Sequence, residues 1–282
     1  MALDEALMHS VRAGAPPVLR FYRWTPRCLS LGRNQPGRDR YDLERLAARG
    51  TEVVRRPTGG RAVLHDRELT YSVIAMEGTL GSPRESYAAI NRALAAGLRR
   101  LGVPAALQPR GSRAPVPSLS PCFREPAEGE VVAGGRKLIG SAQYREGGVM
   151  LQHGSLLLED DQGEVREYPV GPTAPPPPNP LPQFWERGNT ILPSLGSCPT
   201  AGSAVLPSPE FGGGAGGGGA PAVLRDFCDP LPSWDVLTAA LAAGWEEELQ
   251  GSLRPDEPSA VERACAERLA AHYADSAWTW RL

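Results

Sequence analysis

Cys122 and Lys137 are the first residues in the chain whose types and spacing suggest a reaction. Cys122 lies in the segment SPCFREP, and Lys137 follows in GGRKLIGS. A thiol attacks as its thiolate, and a nearby cation raises the thiolate fraction by lowering the thiol pKa. Leu138 and Ile139 follow the lysine, and partial removal from water would strengthen the effect of its charge. The pattern predicts a cysteine nucleophile beside a lysine, although an ordinary loop thiol and an edge-strand lysine that discourages aggregation fit it too.

A glycine-containing loop with basic flanks occupies residues 55–66, RRPTGGRAVLHD. Gly59 and Gly60 let the backbone approach a ligand without obstruction by side chains, and their N–H groups can hold an oxygen anion or a carbonyl oxygen. Arg56 and Arg61 would hold a phosphate or a phosphopantetheine arm, or would shape the pocket. The alternative is a tight turn with a solvated basic flank.

Two histidines lie close to glycines or strand ends. His65 is near the end of the glycine loop, and His153 precedes Gly154 in the second cluster, residues 135–155. Each is either a base or, more commonly for a lone histidine, a structural residue. The start of the second cluster also predicts a hairpin over residues 130–143, because Gly134-Gly135 suits the positive φ angles of a type I′ turn.

Composition excludes several classes of protein. The chain has 282 residues, 41% of them apolar, and 30 basic against 32 acidic residues give a formal charge of −2. This balance argues against a protein built to hold nucleic acid, and no apolar run reaches the roughly 18 residues that would span a membrane. The N-terminal segment lacks the basic start of a secretory signal, so we expect a cytoplasmic protein with reduced thiols. The cysteines show no CxxC spacing, which argues against structural zinc; they are Cys28, Cys122, Cys198, Cys228 and Cys265.

The elements that must position these residues follow from periodicity. Helices are predicted at 2–12, 42–50, 82–102, 233–249 and 257–272, and strands at 18–24, 68–75 and 148–159. Ser82 and Glu85 have the spacing of a capping box. The mixture of helices and strands predicts an α/β (α+β) fold. Residues 169–222, rich in proline and glycine, are predicted to form a disordered or loosely held insert in a single domain made of 1–168 and 223–282.

Three segments resemble the lipoate/octanoate branch of the biotin–lipoate protein ligase superfamily: MALDEAL, RRPTGGRAVLHDRELTYSV and GRKLIGSAQYREGGVMLQHGSLLL. The resemblance covers about residues 1–160 and, more weakly, the last fifty residues. The glycine loop, the PCF cysteine segment and GRKLIGSAQ are similar to those of LipM-type octanoyltransferases. Lipoate ligases usually have a third glycine where this chain has Arg61. The resemblance implies a mixed sheet flanked by helices, as in the catalytic domain of these ligases.

The resemblance also implies a reaction. Octanoyl-acyl carrier protein would give its acyl group to Cys122 as a thioester. The lysine of a lipoyl-domain protein, typically the H protein of the glycine cleavage system, would then receive it, with no cofactor, metal or ATP. Lys137 would lower the Cys122 pKa and orient the acyl carbonyl. The implied substrate-binding residues are Arg56, Thr58, Gly59, Gly60, Arg61, His65, Gly140, Ser141, Gln143, His153 and Gly154.

Other functions stay open at this point. An ATP-dependent lipoate–protein ligase would form an adenylate and would not need Cys122. A non-catalytic module would bind an acyl or lipoyl group without a covalent intermediate. An amidotransferase that moves octanoyl groups between lipoyl domains has a different arginine loop. The chain starts at MALDEAL, where family members have a further strand and turn, so either its start lies further upstream or the sheet lacks an edge strand.

Overall fold

The computed structural model describes residues 1–109, 123, 126–159, 162–169, 190–193 and 220–282. Cys122, Cys198 and most of the predicted insert lie outside these residues. The helices in the described part are α1 (Ala2–Arg12), α2 (Leu43–Ala48), α3 (Pro83–Arg100), α4 (Trp234–Leu249), α5 (Ala260–Ala274) and α6 (Ser276–Thr279). The strands there are β1 (Val18–Tyr22), β2 (Cys28–Leu31), β3 (Glu52–Arg55), β4 (Val63–His65), β5 (Glu68–Met76), β6 (Ala105–Leu107), β7 (Val131–Ala133), β8 (Arg136–Lys137), β9 (Ile139–Glu146), β10 (Val149–Leu157) and β11 (Thr190–Pro193).

Local sequence signals set several of these elements. The predicted capping box at the start of α3 is confirmed: the Ser82 hydroxyl accepts from the Glu85 N–H, and the Glu85 carboxylate accepts from the Ser82 N–H at 2.8 Å. The predicted hairpin turn between β7 and β8 is also confirmed, with φ of 56° at Gly134 and 73° at Gly135. Both glycines therefore have the positive φ that a type I′ turn requires.

A five-stranded antiparallel sheet forms the centre of the fold, in the order β11–β1–β5–β10–β9. Successive residues of a strand point to opposite faces of a sheet. One face packs in the largest hydrophobic cluster, with α3 and α4, and the other carries α1 and α5. The predicted mixture of helices and sheet is confirmed. The α1 face is the one on which the site lies.

The predicted insert contributes to this sheet. Thr190–Pro193 pairs with β1 as an antiparallel edge strand, with Leu19 opposite Leu192. Ala222, at the other end of the insert, is fully buried, and its N–H donates to the Lys137 carbonyl at 2.9 Å. These positions at the described edges of the predicted insert therefore pair with the rest of the domain, while the division into 1–168 with 223–282 and an insert at 169–222 stays a prediction. The segment Thr-Ile-Leu between the proline and glycine tracts has the β-branched and apolar composition of a strand.

Two small sheets carry the remaining sequence motifs. In the first, β2 lies between β3, which runs parallel to it, and β4, which is antiparallel. The glycine loop joins β3 to β4. In the second, β7 lies between β6 and β8, and Lys137 ends β8. The first small sheet thus carries the glycine loop, and the second carries Lys137. No helix in the described ranges is both long and apolar enough to cross a membrane.

Candidate active site

The part of the glycine loop that joins β3 to β4, residues 56–62, packs its backbone against the backbone at the end of β2. Gly60 has a φ of 96°, in the left-handed region that glycine adopts without strain. A Cβ on Gly32, just after β2, would lie 2.0 Å from the Gly60 carbonyl oxygen. The Arg33 N–H donates to the Thr58 carbonyl at 2.8 Å. The close approach therefore requires glycine at position 32 as well as within the loop.

Arg56 holds the loop in shape from within. Its Nη2 donates to the carbonyls of Gly59 at 2.8 Å and Arg61 at 2.7 Å. Its Nη1 donates to the carbonyl and the hydroxyl of Ser30, both at 3.0 Å. Its Nε donates to the Thr58 hydroxyl and the Gly59 carbonyl, both at 3.2 Å. All three nitrogens of this buried guanidinium have acceptors within the protein, which favours pocket shaping over phosphate binding.

A network of polar contacts connects Arg56 to a buried carboxylate through His153. Nε2 of His153 lies 2.6 Å from the Thr58 hydroxyl, and its Nδ1 lies 3.9 Å from Oδ2 of Asp4. Asp4 also accepts from Arg20 at 2.7 Å. Burial alone would raise the pKa of Asp4, but Arg20, the N-terminal amine and His153 together hold it well below its usual range. Burial lowers the pKa of His153, so its ring is neutral at pH 7.

His65 forms a second polar network of the same kind. Its Nδ1 lies 2.8 Å from Oε1 of Glu68, and its Nε2 lies 2.8 Å from the Ser30 hydroxyl, which also accepts from Arg56. The ring stacks on Trp24 with centroids 4.3 Å apart. Two carboxylate–histidine–hydroxyl networks thus meet at the guanidinium of Arg56. Each histidine has partners at both ring nitrogens, as the structural interpretation of these residues requires.

A narrow cleft of about 50 Å³ opens between these two hydrogen-bonded networks on the α1 face of the central sheet. Its lining includes seven of the predicted substrate-binding residues: Arg56, Gly60, His65, Gly140, Ser141, His153 and Gly154. Trp24, Val63 and Ala142 make part of its wall apolar. A Cβ on Gly154 would lie 2.4 Å from the Gly140 carbonyl oxygen, so side chains are kept out where β9 and β10 meet. The cleft is suited to a narrow, largely apolar group.

Gln143 lies elsewhere. Its side chain donates to Oε1 of Gln152 at 2.8 Å and to the Ser86 hydroxyl of α3 at 3.3 Å. Residues alternate along β9, so Gln143 points to the α3 face while Ala142 lines the cleft. The Ser141 hydroxyl also points to the α3 face, bonding Tyr71 at 2.7 Å. Ser141 still belongs to the lining of the cleft, whereas Gln143 does not, and their predicted part in substrate binding stays a prediction.

Lys137 is buried rather than solvated. Its ammonium lies 2.8 Å from Oε1 of Glu130, with side-chain exposures of 3% and 8%. The ammonium also lies 5.2 Å from the centre of the Phe123 ring. That ring packs so closely on Gly140 that a Cβ there would lie 2.8 Å from it. Lys137 does lie on an edge strand, β8, but its burial is inconsistent with a solvated lysine that discourages aggregation. Phe123, which follows Cys122 in the chain, lies between Lys137 and the lining of the cleft.

Several site residues carried no recognised sequence signal. They are Asp4, Trp24, Ser30, Glu68 and Glu130. For Asp4 the sequence did contain a usable signal. Asp4 lies on the apolar stripe of α1 with Leu7 and Val11, where a carboxylate must be buried with a partner. Ser30, an acceptor for Arg56, lies on another strand, and Glu130 meets Lys137 across a hairpin, so spacing alone did not reveal either pair. Within the described ranges, no group of three or more histidine, cysteine and acidic residues could hold a metal ion.

Two comparisons of the sequence with known proteins found similar proteins. The model of the lipoyl protein ligase A/B catalytic domain family matches residues 1–172. Octanoyltransferase LipM of Kyrpidia tusciae is 40% identical over 293 residues, covering 100% of this chain and 93% of the relative. Octanoyltransferase LipM of Moorella thermoacetica is 50% identical over 178 residues, covering 60% of this chain and 65% of the relative.

Solved structures of lipoate ligases share the fold. A lipoate-protein ligase A bound with ATP superposes with a TM-score of 0.69 at 24% identity, covering 99% of this chain and 92% of that one. A bi-partite lipoate protein ligase from Thermoplasma acidophilum gives a TM-score of 0.66 at 23% identity, covering 99% of this chain and 89% of the other. At this identity the likeness concerns the fold.

Proposed function

Because the chain belongs to the lipoyl protein ligase A/B catalytic domain family, we propose that it carries an octanoyl group on Cys122 during transfer to a protein lysine. The chain is an octanoyltransferase of lipoate biosynthesis, in line with relatives of that name that are 34% to 50% identical to it. The observation that supports the thioester route is the burial of Lys137 against Phe123, the residue after Cys122.

In the first step the Cys122 thiolate attacks the thioester carbonyl of octanoyl-acyl carrier protein. A carbon–sulfur bond to Cys122 forms, the bond to the phosphopantetheine sulfur breaks, and that sulfur leaves and takes up a proton. Exchange of one thioester for another is close to neutral in free energy. The Lys137 cation favours the thiolate and orients the carbonyl.

In the second step the ε-amine of a lysine on a lipoyl-domain protein attacks the acyl-enzyme. The amide bond forms, the amine loses a proton, and the Cys122 thiolate leaves. Conversion of a thioester to an amide is downhill, so the reaction needs no ATP. Sulfur insertion into the bound octanoyl group is left to a separate enzyme.

Both steps also require a binding site for the acyl chain and donors that stabilise the oxyanion. The cleft would supply the first and the glycine loop the second. The octanoyl chain would lie in the cleft, along its apolar wall at Trp24, Val63 and Ala142. N–H groups of Gly59 and Gly60 would stabilise the oxyanion, an effect worth about 3–4 kcal/mol for each donor. Arg56 holds the carbonyls of Gly59 and Arg61 and so fixes the direction of the adjoining amides.

The proposed partners are octanoyl-acyl carrier protein as donor and the H protein of the glycine cleavage system as acceptor. Each protein would present a flexible arm to the cleft, a phosphopantetheine in the donor and a lysine in the acceptor. We expect the reaction to take place in the cytoplasm.

Intact-protein mass spectrometry after incubation with octanoyl-acyl carrier protein, in the absence of ATP, tests the proposal. We expect wild type to gain one octanoyl group that hydroxylamine removes, and Cys122→Ala to gain none. Lys137→Ala should acylate slowly and recover at high pH. If no variant forms an adduct and transfer requires free lipoate and ATP, the chain is a ligase and the proposal is wrong.

A further inference from the structure

Glu130 forms a buried ion pair with Lys137. Glu130 immediately precedes β7, and the hairpin brings Lys137 back beside it. Oε1 of Glu130 accepts from the Lys137 ammonium at 2.8 Å, while Oε2 accepts from the Ala127 N–H at 2.8 Å. The carboxylate is therefore held by the backbone on one side and holds the lysine on the other.

Both partners are nearly excluded from water, with side-chain exposures of 3% and 8%. An ammonium group in such a place is stable only with a hydrogen-bonded counter-charge. Lysine also has a long and flexible stem, so a second attachment is needed to keep its ammonium in one position. That position is 5.2 Å from the Phe123 ring.

We propose that Glu130 is a positioning residue for acylation: it holds the Lys137 ammonium near Phe123, the residue that follows Cys122 in the chain, and keeps it charged. The inference rests on the proposed function, because it concerns the cation that activates Cys122. Glu130 touches neither substrate nor thiol; it acts through Lys137. The negative charge of Glu130 weakens the attraction between the Lys137 ammonium and the thiolate. The same carboxylate, however, stabilises the charged form of the buried lysine and holds its ammonium in one position.

The other titratable groups around the pair are few in the described ranges. Tyr71 faces it from β5, and burial, together with the charge of Glu130, raises the pKa of that phenol well above its usual value. Arg136 on β8 pairs with Asp226 at 2.7 Å on the exposed side. We therefore assign the pH dependence of acylation to the Cys122 thiol, whose thiolate the Lys137 cation favours.

Glu130→Gln tests the proposal because glutamine has the same shape and no charge. The measurement is the initial rate of Cys122 acylation by octanoyl-acyl carrier protein between about pH 6.5 and 9.5. Each unit by which the thiol pKa rises cuts the thiolate fraction about tenfold below that pKa. We expect at least about a tenfold loss at pH 7 that shrinks towards pH 9.5. A loss equal at all pH values would mean a merely structural role and would overturn the proposal.

Glu128→Gln is the matched control. Glu128 lies in the same loop but pairs with Arg84 at the surface, with side-chain exposures of 35% and 69%. Its loss should leave acylation unchanged across the pH range. An equal loss of rate in this control would attribute the effect to the loop and overturn the inference.

A double-mutant cycle shows whether Glu130 acts through Lys137. In a Lys137→Met background, Glu130→Gln should slow acylation no further, since the cation is already gone. An equal additional loss in that background would refute the inference. If Glu130→Gln alone does not fold, Glu130→Asp serves instead. Its shorter carboxylate draws the ammonium away from Phe123 and should slow acylation several-fold at pH 7, with full rate counting against the proposal.

The failure of this inference is distinguishable from that of the proposed function. If wild type forms no adduct on Cys122, the proposed function fails, and with it the inference. If wild type forms the adduct and Cys122→Ala does not, the function stands. Glu130→Gln acylating like wild type at every pH would then overturn only the positioning role.

Discussion

Replacement of Arg56 with lysine tests whether one guanidinium organises the glycine loop. Arg56 donates to the carbonyls of Ser30, Gly59 and Arg61 at 2.7–3.2 Å. A lysine keeps the charge but lacks the planar fork, so it can serve only part of this set. A buried acceptor left unpaired costs about 1–3 kcal/mol, so with two such acceptors the free energy of unfolding should fall by about 2–6 kcal/mol.

The assay is unfolding in guanidinium chloride, followed by tryptophan fluorescence. Arg99→Lys is the control, because Arg99 is exposed and donates to the Ala105 carbonyl at 3.1 Å. That substitution should change the free energy of unfolding by no more than about 0.5 kcal/mol. If Arg56→Lys is no less stable than Arg99→Lys, the guanidinium fork does not hold the loop. Acylation of Cys122 should fall in Arg56→Lys even at temperatures where the variant is folded.

Three further outcomes are expected. Gly32→Ala places a Cβ 2.0 Å from the Gly60 carbonyl oxygen; overpacking of this kind costs about 1–3 kcal/mol, so a thermal unfolding midpoint equal to that of wild type would contradict the packing. Trp24→Ala removes a wall of the cleft and should raise the acylation rate with decanoyl relative to octanoyl carrier protein; an unchanged ratio would place the acyl chain elsewhere. Burial lowers the pKa of His153, so between its folded value and the ordinary value near 6.5 the unfolded chain binds a proton that the folded chain does not. Stability should therefore be full above about pH 6.5 and fall at lower pH, and denaturant titrations of wild type and His153→Gln should show a shallower fall in the variant.

Gln143 illustrates how neighbouring positions in one motif separate in space. GSAQ reads as one signature, yet Ala142 lines the cleft while Gln143 bonds to Ser86 and Gln152 under α3. The motif thus spans two faces of one strand. A network including Tyr71 and Gln152, joined at 2.8 Å, supports the sheet from behind the cleft. Sequence similarity marks such residues as important without saying which of them touch a ligand.

Local signals in the sequence determined much of the fold. The capping box at Ser82 and Glu85, the double glycine at 134–135 and the alternating strand of residues 68–75 act over a few residues, so they can be read directly. The segments that contain Cys122 and Lys137 were recognised by their resemblance to a family. Thr190–Pro193 was missed because the proline and glycine tracts on either side dominate its composition.

Only the tertiary structure decided what the polar residues do. Arg56 is a loop organiser because its acceptors include Ser30, on another strand, and Lys137 is a buried cation because the hairpin sets Glu130 beside it. His153 reaches Asp4, which lies in the first helix. The type of a residue limits its chemistry, but its charge state and its role depend on burial and on partners from distant segments. Those partners meet only when the chain has folded, which is why the sequence by itself could name the candidates but not their roles.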